Sequence, residues 1–415
     1  MPRRSSSTVP KLLQGETEAL LLIHTYPTIT RGELAVRLGL SPAALSIIVN
    51  ALLTRDLLVE TPDPETKLGR KRLTLCVRPG LAYVAGMDLG TYWLRGVITD
   101  IAGNVRASAD EPSHMEEGQD AFIKHGFNFA RRLIQKAKIA PDHIRGIGLS
   151  SSSVIEAGEG IVLSYPRPGH FDPWRGVPLR DLASTAFGVP AHLENSVRSA
   201  AVMERYFGAG RTFRDFVYVD VGMGVGSAIF MNGELYCGGN GAAGEFGHMT
   251  VAPDGPLCCC GSNGCLEAMA SCATVIASVR HAITRGVSSS VYDLAGGNLS
   301  EISIEHIAQA AEAHDSLCFR ALSQATSHIG AAAANVINFL NPEAIIFGGA
   351  FFRASPETLL AQVGTAIRYH ALERSFRGVK LMVSDLNGLA AARGAARRIA
   401  AQLLPTIYSE HIPRS

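Results

Sequence analysis

Apolar residues recur at helical spacing through the first part of the chain, then give way to short runs of strand type. Over residues 11–26, Leu12, Leu13, Ala19, Leu20, Ile23 and His24 fall on one face and predict a helix. Thr30, with Glu33 three places on, forms a capping box for a second helix over 31–38, and Gly39 ends it. Ser41-Pro42 supplies a capping hydroxyl and a proline where no amide donor is needed. A third helix therefore runs to about Arg55, with Leu45, Ile48, Val49 and Leu52 facing inward. Residues 57–61 and 72–77 read as two strands of a hairpin. Two short helices across a Gly-containing turn, followed by that hairpin, predict a winged helix-turn-helix over 11–80, behind a disordered Ser/Arg/Pro tail at 1–10.

Beyond residue 80 strands and helices alternate. Short apolar strands are expected at 82–87, 144–149, 190–195 and 216–221, with a two-stranded hairpin over 88–100 turning at Gly90-Thr91. Helices are expected at 121–138, 271–286, 304–314 and 316–339, and one ends near Gly188. The strand over 341–349 ends in paired glycines, and 389–404 forms a last helix returning to the first lobe. The serines at 150–153 either face a ligand or form a polar turn, and the glycines of 238–244 read as a flexible approach or gate. The apparently duplicated order predicts an α/β body over 81–415. Its two lobes, about 81–195 plus 389–404 and about 196–388, flank a cleft.

Charge adds one asymmetry. The 415 residues carry a net charge of +1, which excludes a globally basic nucleic-acid binder. Residues 1–80 hold 11 Lys/Arg against 7 Asp/Glu, so the head is +4 and the remainder −3. In the head, Ser41, Ala43, Ala44 and Ser46 open the helix expected to enter the major groove, and Arg70, Lys71 and Arg72 on the wing suit phosphate or minor-groove contacts. No apolar run reaches membrane-span length and no signal peptide opens the chain, so a cytoplasmic protein is expected.

Four of the eight cysteines crowd between 258 and 265. Spacing of the C-x-C-x4-C type in a Gly-punctuated loop, with an imidazole upstream, suits tetrahedral Zn²⁺ held by His248, Cys258, Cys260 and Cys265. Cys259 can replace a neighbour in that set. Four protein ligands leave no open position for water, so the metal is expected to clamp the loop rather than catalyse. Glu245 and Glu267 flank it. They suit hydrogen bonds from a polyhydroxylated ligand, or else stand as solvated surface carboxylates.

The stretch from Gly244-Glu-Phe-Gly-His248 through Cys258–Glu267 resembles the signature of the ROK family of repressors, open reading frames and sugar kinases. The resemblance extends over nearly the whole chain and implies a two-lobed actin-like ATPase (ribonuclease H-like) body. It also implies sugar contacts from Asn195, Glu245, His248 and Glu267. Family kinases carry Glu-Asn-Asp where this chain has Glu194-Asn195-Ser196, and that Asp is their catalytic base. A serine there removes a contribution of roughly 10²–10⁴ in rate. The phosphate hairpin lacks one family glycine before Tyr92, and Met223 replaces a family hydroxyl in the second phosphate loop. The head resembles the winged helix of the repressor branch. The implied function is a sugar-responsive DNA-binding regulator with a degenerate kinase site, and the alternative is an ATP-dependent sugar kinase. Its implied partners are operator DNA, a monosaccharide or sugar phosphate, and further copies in a homodimer or homotetramer.

Overall fold

Two five-stranded sheets carry the body, each built on a β-meander that continues into parallel strands. The computed structural model describes residues 11–62, 72–165 and 174–411. The head comes first: α1 (Lys11–Thr25), α2 (Arg31–Leu38), α3 (Pro42–Thr54) and the antiparallel pair β1 (Leu58–Pro62) and β2 (Leu73–Val77). The local signals act as expected. Thr30 and Glu33 cap each other reciprocally, Gly39 takes a left-handed φ of 64°, and the Ser41 hydroxyl accepts from the Ala44 N–H. The tip of the hairpin, with Arg70 and Lys71, lies outside the described residues.

The first sheet orders as β5-β4-β3-β6-β9, from β3 (Tyr83–Leu89), β4 (Trp93–Asp100), β5 (Val105–Pro112), β6 (Ile144–Ser151) and β9 (Ala191–Asn195). α4 (Gln119–Lys136), the small pair β7 (Val154–Glu156) and β8 (Ile161–Ser164), and α5 (Leu179–Phe187) lie between β5 and β9 in the chain. α6 (Ser196–Phe207) then leads into the second sheet, β12-β11-β10-β13-β14. Its strands are β10 (Phe216–Val221), β11 (Val225–Met231), β12 (Glu234–Tyr236), β13 (Ala344–Gly348) and β14 (Lys380–Val383). Helices α7 (Leu266–Ala270), α8 (Cys272–Thr284), α9 (Val291–Leu294), α10 (Ile304–Glu312) and α11 (Ser316–Leu340) lie between β12 and β13 in the chain. α12 (Gly349–Ala354), α13 (Pro356–His370) and α14 (Glu373–Phe376) precede β14.

The last helix, α15 (Ala390–Glu410), departs from the expected 389–404: Pro405 sits inside it without ending it. α15 lies directly on the backbone of the first sheet. A Cβ on Gly86 would stand 2.1 Å from the Ala392 carbonyl oxygen, and one on Gly148 2.0 Å from that of Ala395. Only glycine on the strands and alanine on the helix allow so close an approach. Its far half then joins the head. Ile399, Leu403, Ile407 and Tyr408 share one buried cluster with Ala19, Leu20, Ile23, Leu45 and Leu52, so head and body form a continuous core.

Candidate functional site

A cleft of about 720 Å³ runs between the two sheets, lined from both sides. Asn195, Glu245, His248 and Glu267 all face it, together with Asp88, Ser196, Tyr92, Trp93 and Met223. The cleft reaches the start of α15 through Asn387, Gly388, Ala390 and Ala391.

Asn195 ends β9 and caps α6: its Oδ1 accepts from the N–H groups of Val197 (2.9 Å) and Arg198 (3.3 Å). Its Nδ2 lies 3.5 Å from the Ser153 carbonyl. The cap therefore fixes the amide so that its donor end faces the cleft side. Ser196 opens α6 and donates to Asp88 Oδ1 at 2.6 Å, while Ser150 donates to the same oxygen at 2.9 Å. Burial pushes the Asp88 carboxyl up, against these hydrogen bonds and the charge of Arg95. The serine run divides by position, with Ser153 both buried and at the cleft. Ser150 and Ser151 are buried at the end of β6, whereas Ser152 and Ser153 line the cleft.

The glycine-rich approach to the cysteine loop, whose composition reads as flexible, is hydrogen-bonded to two other segments. Arg198, buried at the start of α6, donates to the carbonyls of Gly241 and Ala243, and Ser227 donates to that of Gly244 at 2.9 Å.

In the cysteine loop, Cys258 N–H donates to the Ser262 carbonyl (2.7 Å) and Gly261 N–H to that of Cys258 (2.9 Å), closing a tight turn. Gly264 (φ 66°) passes so near Ala252 that a Cβ would stand 1.5 Å from its carbonyl oxygen. The ligand atoms of His248, Cys258, Cys260 and Cys265 consequently lie within 4.8 Å of one another. Cys260 and Cys265 sulfurs are 3.6 Å apart, and His248 Nδ1 is 3.7 Å from Cys258 Sγ. Ideal tetrahedral Zn²⁺ with its usual bond lengths requires edges of about 3.8 Å between sulfurs and ~3.6 Å between sulfur and nitrogen. The residues fit a metal. With Nδ1 turned to the cysteines, His248 Nε2 faces Glu245 Oε2 at 4.0 Å. Cys259 lies to one side, its thiol 3.4 Å from Glu267 Oε1, and Cys258, Cys259 and Glu267 form a second possible ligand group. Glu267 sits on α7, directly after Cys265, and its Oε2 accepts from the Val225 N–H at 2.9 Å.

At the turn between β3 and β4, the Gly90 N–H donates to the Trp93 carbonyl at 3.2 Å. Tyr92 and Trp93, each 42% exposed, stand at the cleft beside that turn. In the head, Ser41, Ala43 and Ile47 are exposed on or before α3, with Ala44 and Ser46 half-buried. Arg72 pairs with Glu33 at 2.6 Å, so this predicted DNA contact also braces the capping box of α2.

The sequence reading missed the junction between head and body. Glu16 is fully buried and accepts from both Arg55 and Tyr408. His24 is hydrogen-bonded through Nε2 to the Arg397 carbonyl at 3.3 Å. A carboxylate on the apolar face of α1 was the available signal.

Residues 84–402 match the ROK family. The chain belongs to the ROK family. Residues 13–67 of this ROK protein match the MarR family as well. It is 28% identical to the xylose repressor of Caldicellulosiruptor bescii over 91% of this chain and 92% of that one. It is 26% identical to the DNA-binding transcriptional dual regulator NagC of Escherichia coli, over 94% and 93% respectively. Among solved structures, a ROK family transcriptional regulator described as a homolog of the E. coli MLC protein superposes with a TM-score of 0.75 at 27% identity, covering 97% of this chain and 98% of that one. A ROK family glucokinase from Streptomyces griseus, in complex with glucose and AMPPNP, gives 0.67 at 25% identity, covering 76% of this chain and 98% of that one. Among the described residues no single helix is long and apolar enough to cross a membrane.

Proposed function

We propose that this ROK protein is a cytoplasmic transcriptional repressor of carbohydrate-metabolism genes. Its head binds operator DNA and its cleft binds a monosaccharide or sugar phosphate. The observation that carries this reading is the course of α15: one end lines the cleft and the other shares a core with the head. A 21-residue helix spans about 31 Å, so one rigid element joins the two sites. A sugar that shifts the lobes shifts the seat of the head, and a coupling of roughly 1–3 kcal/mol is enough for regulation.

Within the cleft, Asn195 donates from its fixed amide, and Glu245 and Glu267 accept sugar hydroxyls. Zn²⁺ held by His248, Cys258, Cys260 and Cys265 supplies loop rigidity. His248 transmits that order to Glu245, and Cys265 transmits it to Glu267 through α7. The ROK regulator matches 97% of this chain and the ROK kinase only 76% of it, which favours the repressor reading. So does Ser196, whose proton is committed to Asp88. A homodimer or homotetramer would present two heads to a two-fold operator.

The test is fluorescence anisotropy of metal-loaded protein on duplex promoter fragments at low salt, repeated with a panel of monosaccharides and their phosphates. Sugar-dependent changes in DNA affinity are expected. Folded, metal-loaded protein that ignores duplex DNA, or sugar-dependent ATP turnover clearly above background, would overturn the reading.

A further inference from the structure

The 13 residues of α3, Pro42–Thr54, include no charged side chain. Several of its polar groups are turned inward or to neighbours. Ser46 donates to the Pro42 carbonyl at 2.8 Å, and Asn50 Oδ1 accepts from both terminal nitrogens of Arg31 at 3.3 Å. Ser41, before the helix, accepts from the Ala44 N–H at 3.2 Å. Nearby cations are paired as well: Arg31 with Glu60 at 2.7 Å and Arg72 with Glu33 at 2.6 Å. The outer face of the helix is therefore largely apolar. Ile47 is 61% exposed there, and Ala43, one turn earlier, is also exposed, while Leu45, Ile48, Val49 and Leu52 are buried in the head.

A base edge in the major groove displays one apolar group, the 5-methyl of thymine. Four residues of helix advance about 6 Å, against a rise of ~3.4 Å per base step. Ala43 and Ile47 thus reach bases one or two steps apart. We propose that Ile47 and Ala43 read thymine methyls in the operator half-site, with Asn50 Nδ2 the accompanying hydrogen-bond donor. Base recognition by this helix is then mainly apolar, and its register is set by phosphate contacts made elsewhere on the head. The inference rests on the DNA-binding reading above and names the group by which that site discriminates.

The experiment selects high-affinity duplexes from a random library with the full chain, then resynthesises the preferred site with uracil in place of each thymine in turn. This removes one methyl and leaves the Watson–Crick edge unchanged. Two positions per half-site should each lose about four-fold in affinity, the equivalent of roughly 0.8 kcal/mol for one buried methyl. Ile47→Ala, at an exposed site in a helix, should leave thermal stability unchanged. It should abolish the uracil effect at one of the two positions, binding thymine and uracil duplexes alike. A selected duplex bound equally well with every thymine replaced, and equally by Ile47→Ala, would overturn the inference and leave the DNA-binding reading standing. The same holds if Ile47→Ala changes only the oligomeric state. Failure to select any duplex would overturn both.

Discussion

Tyr408, near the end of the last helix, donates its phenol proton to Glu16 of the first, 392 residues away in the chain. Arg55, which follows α3, donates to the same Glu16 oxygen. The carboxylate thus ties together α15, which leaves the cleft, the first helix of the head and the end of α3. Burial and the Glu16 carboxylate push the Tyr408 phenol up to about 12, so it remains a donor throughout the ordinary pH range.

Tyr408→Phe removes that donor from a buried acceptor and should cost about 1–3 kcal/mol of stability, measured by denaturant unfolding. Sugar and DNA should each still bind. The factor by which sugar changes DNA affinity should shrink towards one. A variant whose coupling equals that of the parent would show that α15 does not carry the signal.

His24 gives the same junction a pH dependence. Burial, and next the neighbouring Arg397 charge, hold its imidazole well below the usual value, against hydrogen bonds to the carbonyls of Arg397 and Ile101. His192, lowered to about 4 chiefly by burial, acts in the same sense. Below about pH 6.5 the unfolded chain binds protons that the native chain refuses, so both residues make stability fall on acidification. Asp88, Asp220 and Glu204 are raised by burial and oppose this, because the native state takes up their protons first. Comparing variants isolates the histidine. Between pH 6 and 5, His24→Asn should flatten the stability profile by up to about 1.4 kcal/mol per pH unit relative to the parent. Parallel profiles would count against a neutral buried His24.

Asn195 caps α6, and the proposed function gives it a second, separable duty, donating to the sugar. Asn195→Asp keeps the capping oxygen and loses the amide donor, so stability should stay near that of the parent while sugar affinity falls at least ten-fold by calorimetry. Asn195→Ala should lose both, with about 1 kcal/mol of stability. An Asp variant that binds sugar normally would remove the donor role.

Chelation should lower the melting temperature and abolish the calorimetric sugar signal, with both restored by Zn²⁺. Cys265→Ser, at a fully buried candidate ligand, should abolish stoichiometric metal binding. Cys259→Ser should retain one equivalent by elemental analysis. If Cys259→Ser instead loses the metal, the second ligand group with Cys258 and Glu267 is the one in use.

Local chemistry was legible wherever neighbours in sequence decide the outcome. The Thr30–Glu33 capping box, the left-handed Gly39 and the Ser41-Pro42 start depend on contacts within a few residues, and each stands where the sequence puts it. The cysteine spacing is of the same kind, since a short turn brings the thiols together. Polar edge strand β5 and short strand β14 escaped the hydrophobic pattern, because pairing to a neighbouring strand, rather than alternation, holds them in the sheet. The cleft divides in the same way. Serine at 196 can be read directly, whereas its bond to Asp88, 108 residues away, cannot.

The sequence by itself determined a capped helical head with a hairpin, an α/β body, a loop whose residues could hold a metal, and a hydroxyl at position 196. These follow from side-chain chemistry and short-range backbone preference. Tertiary structure alone decided that the glycine approach is held by Arg198, that Glu16 and His24 are buried against the far end of the chain, and that one helix serves both cleft and head. Those outcomes depend on desolvation and hydrogen bonding between segments 43 to 392 residues apart, where the partner of a polar group is set by the fold and not by its neighbours in the chain.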